Sequence, residues 1–255
     1  MLNTFSIRPI LLASLLIMLS FSFIKKEVDQ VDTATVTIQF VTKVGEVEMV
    51  PMKSYTNSSF EDFAVSKFKY YVSNFQMNGT GFTRAKGDTY FLIDEDDART
   101  KKIEIKIEPG NYRAIRFLLG VDSLRNVSGA QTGALDPLHG MFWTWNTGYI
   151  MAKLEGHSSA SRRPFNMFEY HIGGFSGINN TLKWINLDLT QPVSLKRNDH
   201  LHIKIGVNLL EWFAGPADIS IEEKSSITSP GANAKRIADN YADMFTLVEA
   251  KPNEP

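Results

Sequence analysis

Between Lys102 and Ile107 the chain alternates strictly, Lys102, Glu104 and Lys106 against Ile103, Ile105 and Ile107. That period of two suits a β-strand with one buried face and no helix. Similar runs recur. Thr33–Phe40 sets Val36, Ile38 and Phe40 on one face, and the aromatic-rich Phe68–Phe75 closes at Asn78-Gly79. Thr89–Ile93, Tyr112–Leu119, Met141–Leu154, Met167–Ile172, Lys183–Leu189 and Leu201–Val207 follow. The turn residues Pro109 and Gly110 predict a hairpin joining 102–107 to 112–119. Strands at this spacing, without helices between them, favour an all-β sandwich or barrel. One helix is expected over Ala232–Phe245, where Ile237, Tyr241, Met244 and Phe245 form one apolar stripe that covers the sheet.

At 255 residues a single large β domain is the better prior. Lysine and arginine number 27 against 28 acidic residues, a balance with no sign of a nucleic-acid binder. There are no cysteines. Disulfide scaffolds, thiolate-ligated zinc, blue-copper sites and thiol nucleophiles are thereby excluded. Arg8 is the first charged side chain and Lys25 the next, with a mostly apolar run from Pro9 to Ile24 between them. This is the pattern of an export signal, short of the roughly 20 residues of a membrane span. The expected organisation is a signal peptide or N-terminal anchor at 1–24, a linker at 25–33, one domain at 34–250 and a loose tail at 251–255. The domain is expected outside the cytoplasm, periplasmic or on the cell surface, with no membrane contact beyond the N-terminal segment.

The histidines carry most of the metal-binding potential. His200 and His202 share a strand face beside Lys204, opposite the apolar Leu201, Ile203 and Ile205, and read as a solvated pair. His157 reads as an inert loop residue. His171 is more informative: it shares a face with Glu169, while Gly173 and Gly174 just beyond let another segment approach closely. His139 opens the densest aromatic stretch, which includes Phe142, Trp143, Trp145 and Tyr149. Trp143 and Trp145 are expected on one strand face, with Phe142 opposite. Before them runs a long polar loop, Gly120–Pro137, of a length uncommon without a task. Its Asp122, Asn126 and Asp136 offer hard oxygen donors for a structural Ca2+, without EF-hand spacing.

These residues resemble the MbnP-like family of exported copper-binding proteins. The resemblance is carried by Gly120-Val121-Asp122, Asn126, Leu135-Asp136-Pro137 and the W-x-W-x-x-G-Y core from Trp143 to Tyr149. Tyr70–Asn74, Phe168–Gly173 and Ile237–Phe245 agree in order. The resemblance implies an all-β, Greek-key-like β-sandwich with one short C-terminal helix. It also implies copper held between histidine and a kynurenine made by oxidising a tryptophan, with a MauG-like dihaem peroxidase as the oxidising partner. Carried over, the tryptophan is Trp143 or Trp145, and the matching histidine is His171. The pattern departs at the second histidine: two residues after Trp143 stands Trp145, and the nearest histidine is His139.

The leading expectation is an exported copper-binding or copper-handling protein, not an enzyme, with metal at His171, His139, Trp143 and Trp145. Imidazole suits copper, and a kynurenine adds an amine and a ketone where indole has only an N–H donor. The alternative is a metal-free β-sandwich that binds a ligand or protein partner through its aromatic loop. Ser123 or Ser128 with His139 and Asp136 could be drawn as a triad, but no G-x-S-x-G elbow supports one.

Overall fold

The computed structural model describes residues 32–145 and 148–252. The expected signal or anchor at 1–24 lies outside them. In chain order the strands are β1 (Ala34–Val44), β2 (Val47–Glu48), β3 (Ser54–Thr56), β4 (Asp62–Asn78), β5 (Phe82–Arg84) and β6 (Phe91–Asp94). Next come β7 (Lys102–Ile107), β8 (Gly110–Leu119), helix α1 (Ser123–Val127), β9 (Phe142–Trp143), β10 (Gly148–His157) and β11 (Met167–Gly173). The chain continues through β12 (Lys183–Leu195), β13 (His200–Asn208), β14 (Ser226–Ile227), helix α2 (Ala232–Tyr241) and β15 (Phe245–Pro252).

The strands form two sheets, as expected of a sandwich. β1 sits inside a five-stranded sheet ordered β15-β13-β1-β2, with β7 also pairing β1. The ten-stranded sheet runs β12-β8-β4-β10-β11-β14, and β3, β5 and β6 add to β4. β1 and β13 run parallel, with Thr35 opposite His200. The main core lies where alternate residues of both sheets meet: Val36, Ile38 and Phe40 from β1, Phe68 and Tyr70 from β4, Leu201 and Ile203 from β13. Phe40 meets Tyr70 edge-on at 6.0 Å, and Phe117 meets Phe245 at 5.1 Å. Each such ring, fully buried, contributes on the order of 1.5–3 kcal/mol.

The hairpin expected at 102–119 does not form. β7 pairs with β1, whereas β8 pairs with β4 and β12 in the other sheet. Pro109-Gly110 therefore turns a corner of the sandwich, and the Tyr112 hydroxyl ties it by donating to the Glu108 carbonyl at 2.6 Å. The physical reason is burial. Ile103, Ile105 and Ile107 on β7 and Ile115 and Phe117 on β8 all enter one core, which they do from two layers.

The C-terminal helix is shorter than its apolar stripe. It ends at Tyr241, and Met244 and Phe245 are buried beyond it. β15 then carries the chain along β13 as far as Pro252, into the stretch read as a loose tail. Among the described residues no helix is long and apolar enough to cross a membrane.

A second, smaller core forms on the outer face of the ten-stranded sheet. Tyr71, Val121, Met141, Trp143, Tyr149 and Met151 are among its members. β4 explains the division: Tyr70 and Val72 point into the sandwich, Tyr71 points away from it. The long loop after β8 folds over that outer face, a satellite cluster of the kind that packs under long loops.

Candidate functional site

The loop over the second core is bound by its own polar residues. Asp122 caps α1, accepting from the Arg125 N–H at 3.1 Å, and its other oxygen accepts from Asn74 Nδ2 at 2.8 Å and from the Tyr90 hydroxyl. Asn126 is buried; its Oδ1 accepts from the Tyr149 N–H at 2.9 Å while Nδ2 donates to the Asp122 carbonyl at 3.0 Å. Asp136 caps the next turn by accepting from Leu138 N–H at 2.9 Å. Both oxygens of Asp122, the amide oxygen of Asn126 and one oxygen of Asp136 thus have partners within the protein. The Ser73 hydroxyl donates to Gly120 O at 2.7 Å and the Tyr149 hydroxyl to Leu135 O at 2.9 Å. Of the segments that carry the family resemblance, Tyr70–Asn74, Gly120–Asp122, Asn126, Leu135–Pro137 and Tyr149 meet in this network, whereas Ile237–Phe245 packs in the main core.

The network delivers Trp143 to β11. β9 is only two residues long, and it pairs Trp143 with Gly148. A Cβ built on Gly173 would stand 2.5 Å from Trp143 Cζ3 and 2.8 Å from the Tyr149 carbonyl oxygen. Glycine is required there because the indole occupies the space a side chain would take. Gly173 lies two residues after His171, so both face the same side of the sheet. The ring of Trp143 is therefore seated on the outer face over Gly173, whose backbone lies about 7 Å along the strand from that of His171.

His171 itself is held by a carboxylate. Its Nε2 lies 2.8 Å from Oε1 of Glu155 on β10. The hydrogen bond from His171 is the largest cause that holds the Glu155 carboxyl below its ordinary value, opposed by burial and aided by Lys153. Glu155 is thus ionised and accepts, so Nε2 carries the proton and a neutral His171 keeps its lone pair on Nδ1. Lys153, directly opposite His171, stands 3.8 Å from Glu155 and donates to the Gly140 carbonyl at 2.6 Å. Burial pushes its ammonium below the usual lysine range, against the pull of Glu155.

Not every expected site residue joins this group. Trp143 is 6% exposed and Trp145 64%, with their rings 5.7 Å apart. Trp145 therefore does not continue a strand face; it stands on the turn between β9 and β10. His139 bonds through Nε2 to the Gly133 carbonyl at 3.0 Å and lines a separate cleft with Leu92, Arg99 and Lys102. No described contact joins it to His171. His157 is spent on the Phe165 carbonyl at 3.1 Å. His200 and His202 stack at 6.4 Å on the face opposite Leu201, Ile203 and Ile205, but only His200 is exposed, and Nε2 of His202 is closed off from solvent, unlike the solvated pair expected.

Sequence reading missed Glu155 and Lys153. The carboxylate on the histidine is not Glu169, which pairs with Arg163 and accepts from the Ser226 hydroxyl at 3.0 Å. Only the β10–β11 register could have named Glu155. Among the described residues no three His, Asp or Glu side chains cluster at metal-holding distance. The unmodified donor set is one imidazole beside an indole whose nitrogen only donates.

A family model described as MbnP matches residues 33–230. No curated protein matches the sequence. Among solved structures, MbnP from Methylosinus trichosporium is similar, with 13% identity, a TM-score of 0.51 and coverage of 87% of this chain and 99% of that one. At that identity the likeness concerns the fold.

Proposed function

The chain belongs to the MbnP family, and from that premise we propose an exported, periplasmic or cell-surface copper-handling protein, not an enzyme, that holds the metal between His171 and an oxidised Trp143. The observation that carries the reading is the placement of the Trp143 ring on Gly173, on the same strand face as an imidazole whose tautomer Glu155 sets.

In this reading His171 presents Nδ1, a donor suited to copper. Kynurenine formation supplies the second donor. With peroxide as oxidant, two equivalents break the indole C2–C3 bond, deliver two oxygens and leave as water. Hydrolysis then removes the formyl carbon as formate, leaving an aryl amine and a ketone. A MauG-like dihaem peroxidase partner fits this chemistry, and the exposed Trp145 beside Trp143 gives it a ring to contact. Bound copper would add a redox-active, imidazole-ligated centre to an otherwise inert surface.

Peptide mass spectrometry with metal analysis of protein from its own host tests the reading. A Trp143 residue with a net gain of one oxygen and loss of one carbon, with near-stoichiometric copper, is the expected result. An unmodified peptide that takes up no copper on loading overturns it, and leaves exposed Trp145 to serve a metal-free binding surface.

A further inference from the structure

A second site lies across the outer face of the ten-stranded sheet, on the β5, β4 and β8 side. β4 is bulged between Ser73 and Gln76, where Asn74 adopts a left-handed φ of 54°. Such bulges re-aim side chains. Beyond the bulge, Gln76 pairs with Arg84 on β5 and with Arg116 on β8. Arg84, Gln76 and Arg116 therefore form one transverse row, facing away from the core that holds Phe75 and Met77. Beside the row opens a cleft of about 440 Å3, within the usual range of roughly 300–1,000 Å3 for small-ligand pockets.

Three features of this cleft point to a ligand. First, its polar lining is short of partners. Gln76 is 8% exposed and Thr89 7%, and neither side chain makes a hydrogen bond among the described residues. Asn74 donates to Asp122, yet its own Oδ1 accepts nothing there. Their polar atoms are not sealed from solvent but open to the cleft, where a ligand can reach them. Hydroxyl groups, which both donate and accept, would satisfy all three.

Second, two aromatic rings, Tyr90 and Trp184, line the same cleft. Trp184 is 44% exposed and is held from one side by Arg116, whose guanidinium lies 4.2 Å from its centre and 4.9 Å from that of Phe82. A rigid, half-open indole suits the apolar face of a ring. Third, among the described residues the one cation in the lining, Arg84, has no carboxylate bound to it. Among the described residues neither Arg84 nor Arg116 has a carboxylate partner, whereas Asp122 is occupied by Tyr90, Asn74 and the Arg125 N–H. Arg116 is stacked between two rings, which leaves the Arg84 guanidinium in the lining as the group suited to bidentate carboxylate recognition.

We propose that this cleft binds an acidic sugar residue, a hydroxyl-bearing ring with one carboxylate. The ring lies against Trp184 and Tyr90, its hydroxyls bond Gln76, Thr89 and Asn74, and its carboxylate meets Arg84. The site shares no residue with the Trp143–His171 group and needs no metal.

The test is an NMR titration of the isotopically labelled chain, with chelator present, using D-galacturonate, D-glucuronate, D-galactose and acetate. The expected result is perturbation of the Gln76 side-chain amide and the Trp184 indole N–H by a uronate, at an affinity about tenfold or more above galactose. The gain shrinks as salt screens the pair. Arg84→Gln, an exposed substitution, brings the uronate down to the galactose level, and Trp184→Ala weakens both sugars. Silence of both reporters with all four probes overturns the proposal. So does equal binding of galactose, or acetate binding as well as the uronates.

Discussion

His171 and Glu155 do not face each other in the ladder. His171 stands opposite Lys153, and Glu155 opposite Glu169. The 2.8 Å contact between Nε2 and Oε1 runs diagonally across β10 and β11, a reach that long side chains manage between diagonal neighbours. The imidazole is thus oriented by one residue on the next strand. Glu155→Gln keeps the shape and lets the wrong tautomer in. Copper affinity of modified protein should fall by about 10–100-fold, the usual effect of losing such an orienting carboxylate. A competition titration against a chelator of known affinity measures it, and an unchanged affinity would separate Glu155 from the site.

Gly173→Ala tests the seat of the indole. The added methyl meets Trp143 Cζ3 at 2.5 Å and backbone at 2.8 Å, so either ring or strand must move. Overpacking of this kind costs about 1–3 kcal/mol. Denaturant melts should show that loss, and the tryptophan emission should shift as Trp143 is displaced.

Asn126→Ala should loosen the whole loop. It removes a buried amide that binds the Asp122 carbonyl and the Tyr149 N–H, leaving buried groups unpaired at about 1–3 kcal/mol. Hydrogen exchange should rise at the Tyr149 amide while β1 and β13 stay protected.

Acid should weaken the fold partly through Glu61. Burial pushes its carboxyl up, but hydrogen bonds from Asn57, from the N–H groups of Glu222 and Ile221, and from the Ser220 hydroxyl outweigh it and hold it below 4.5. A depressed carboxyl contributes stability above its unfolded value and loses it as pH falls through the folded one. Melting temperature should therefore drop below about pH 4.5. Glu61→Gln should lower it at neutral pH and flatten that acid limb.

Phe245→Ala probes the strand that was not expected. Phe245 is buried against Phe40, Tyr70 and Phe117, and its truncation should cost about 3–5 kcal/mol. Thermal or urea unfolding measures the loss directly.

What was legible in the sequence followed local pattern. β7 begins and ends at Lys102 and Ile107 as read, because a strand with one wet face writes its own alternation. His171 beside a glycine that admits another segment was legible for the same reason. β15 was not, since Phe245 completes the helical stripe of Ile237 and Tyr241 as well as it starts a strand. The corner at Pro109-Gly110 carries the residues of a hairpin turn, and nothing local says that β7 and β8 join different sheets. Glu155 was hidden because its role depends on a register between strands. The row of Arg84, Gln76 and Arg116 depends on two registers and a bulge.

The parallel pairing of β1 with β13 has a consequence for the order of assembly. Thr35 finds His200 only after everything between them has been synthesised. At about 5–20 residues per second that interval is roughly ten to thirty seconds. Throughout it, the edge of β1 that β13 will pair stays open, so no growing N-terminal fragment can close the first sheet. The chain stays unfinished, and in need of protection from its own edges, until nearly its last strand has emerged.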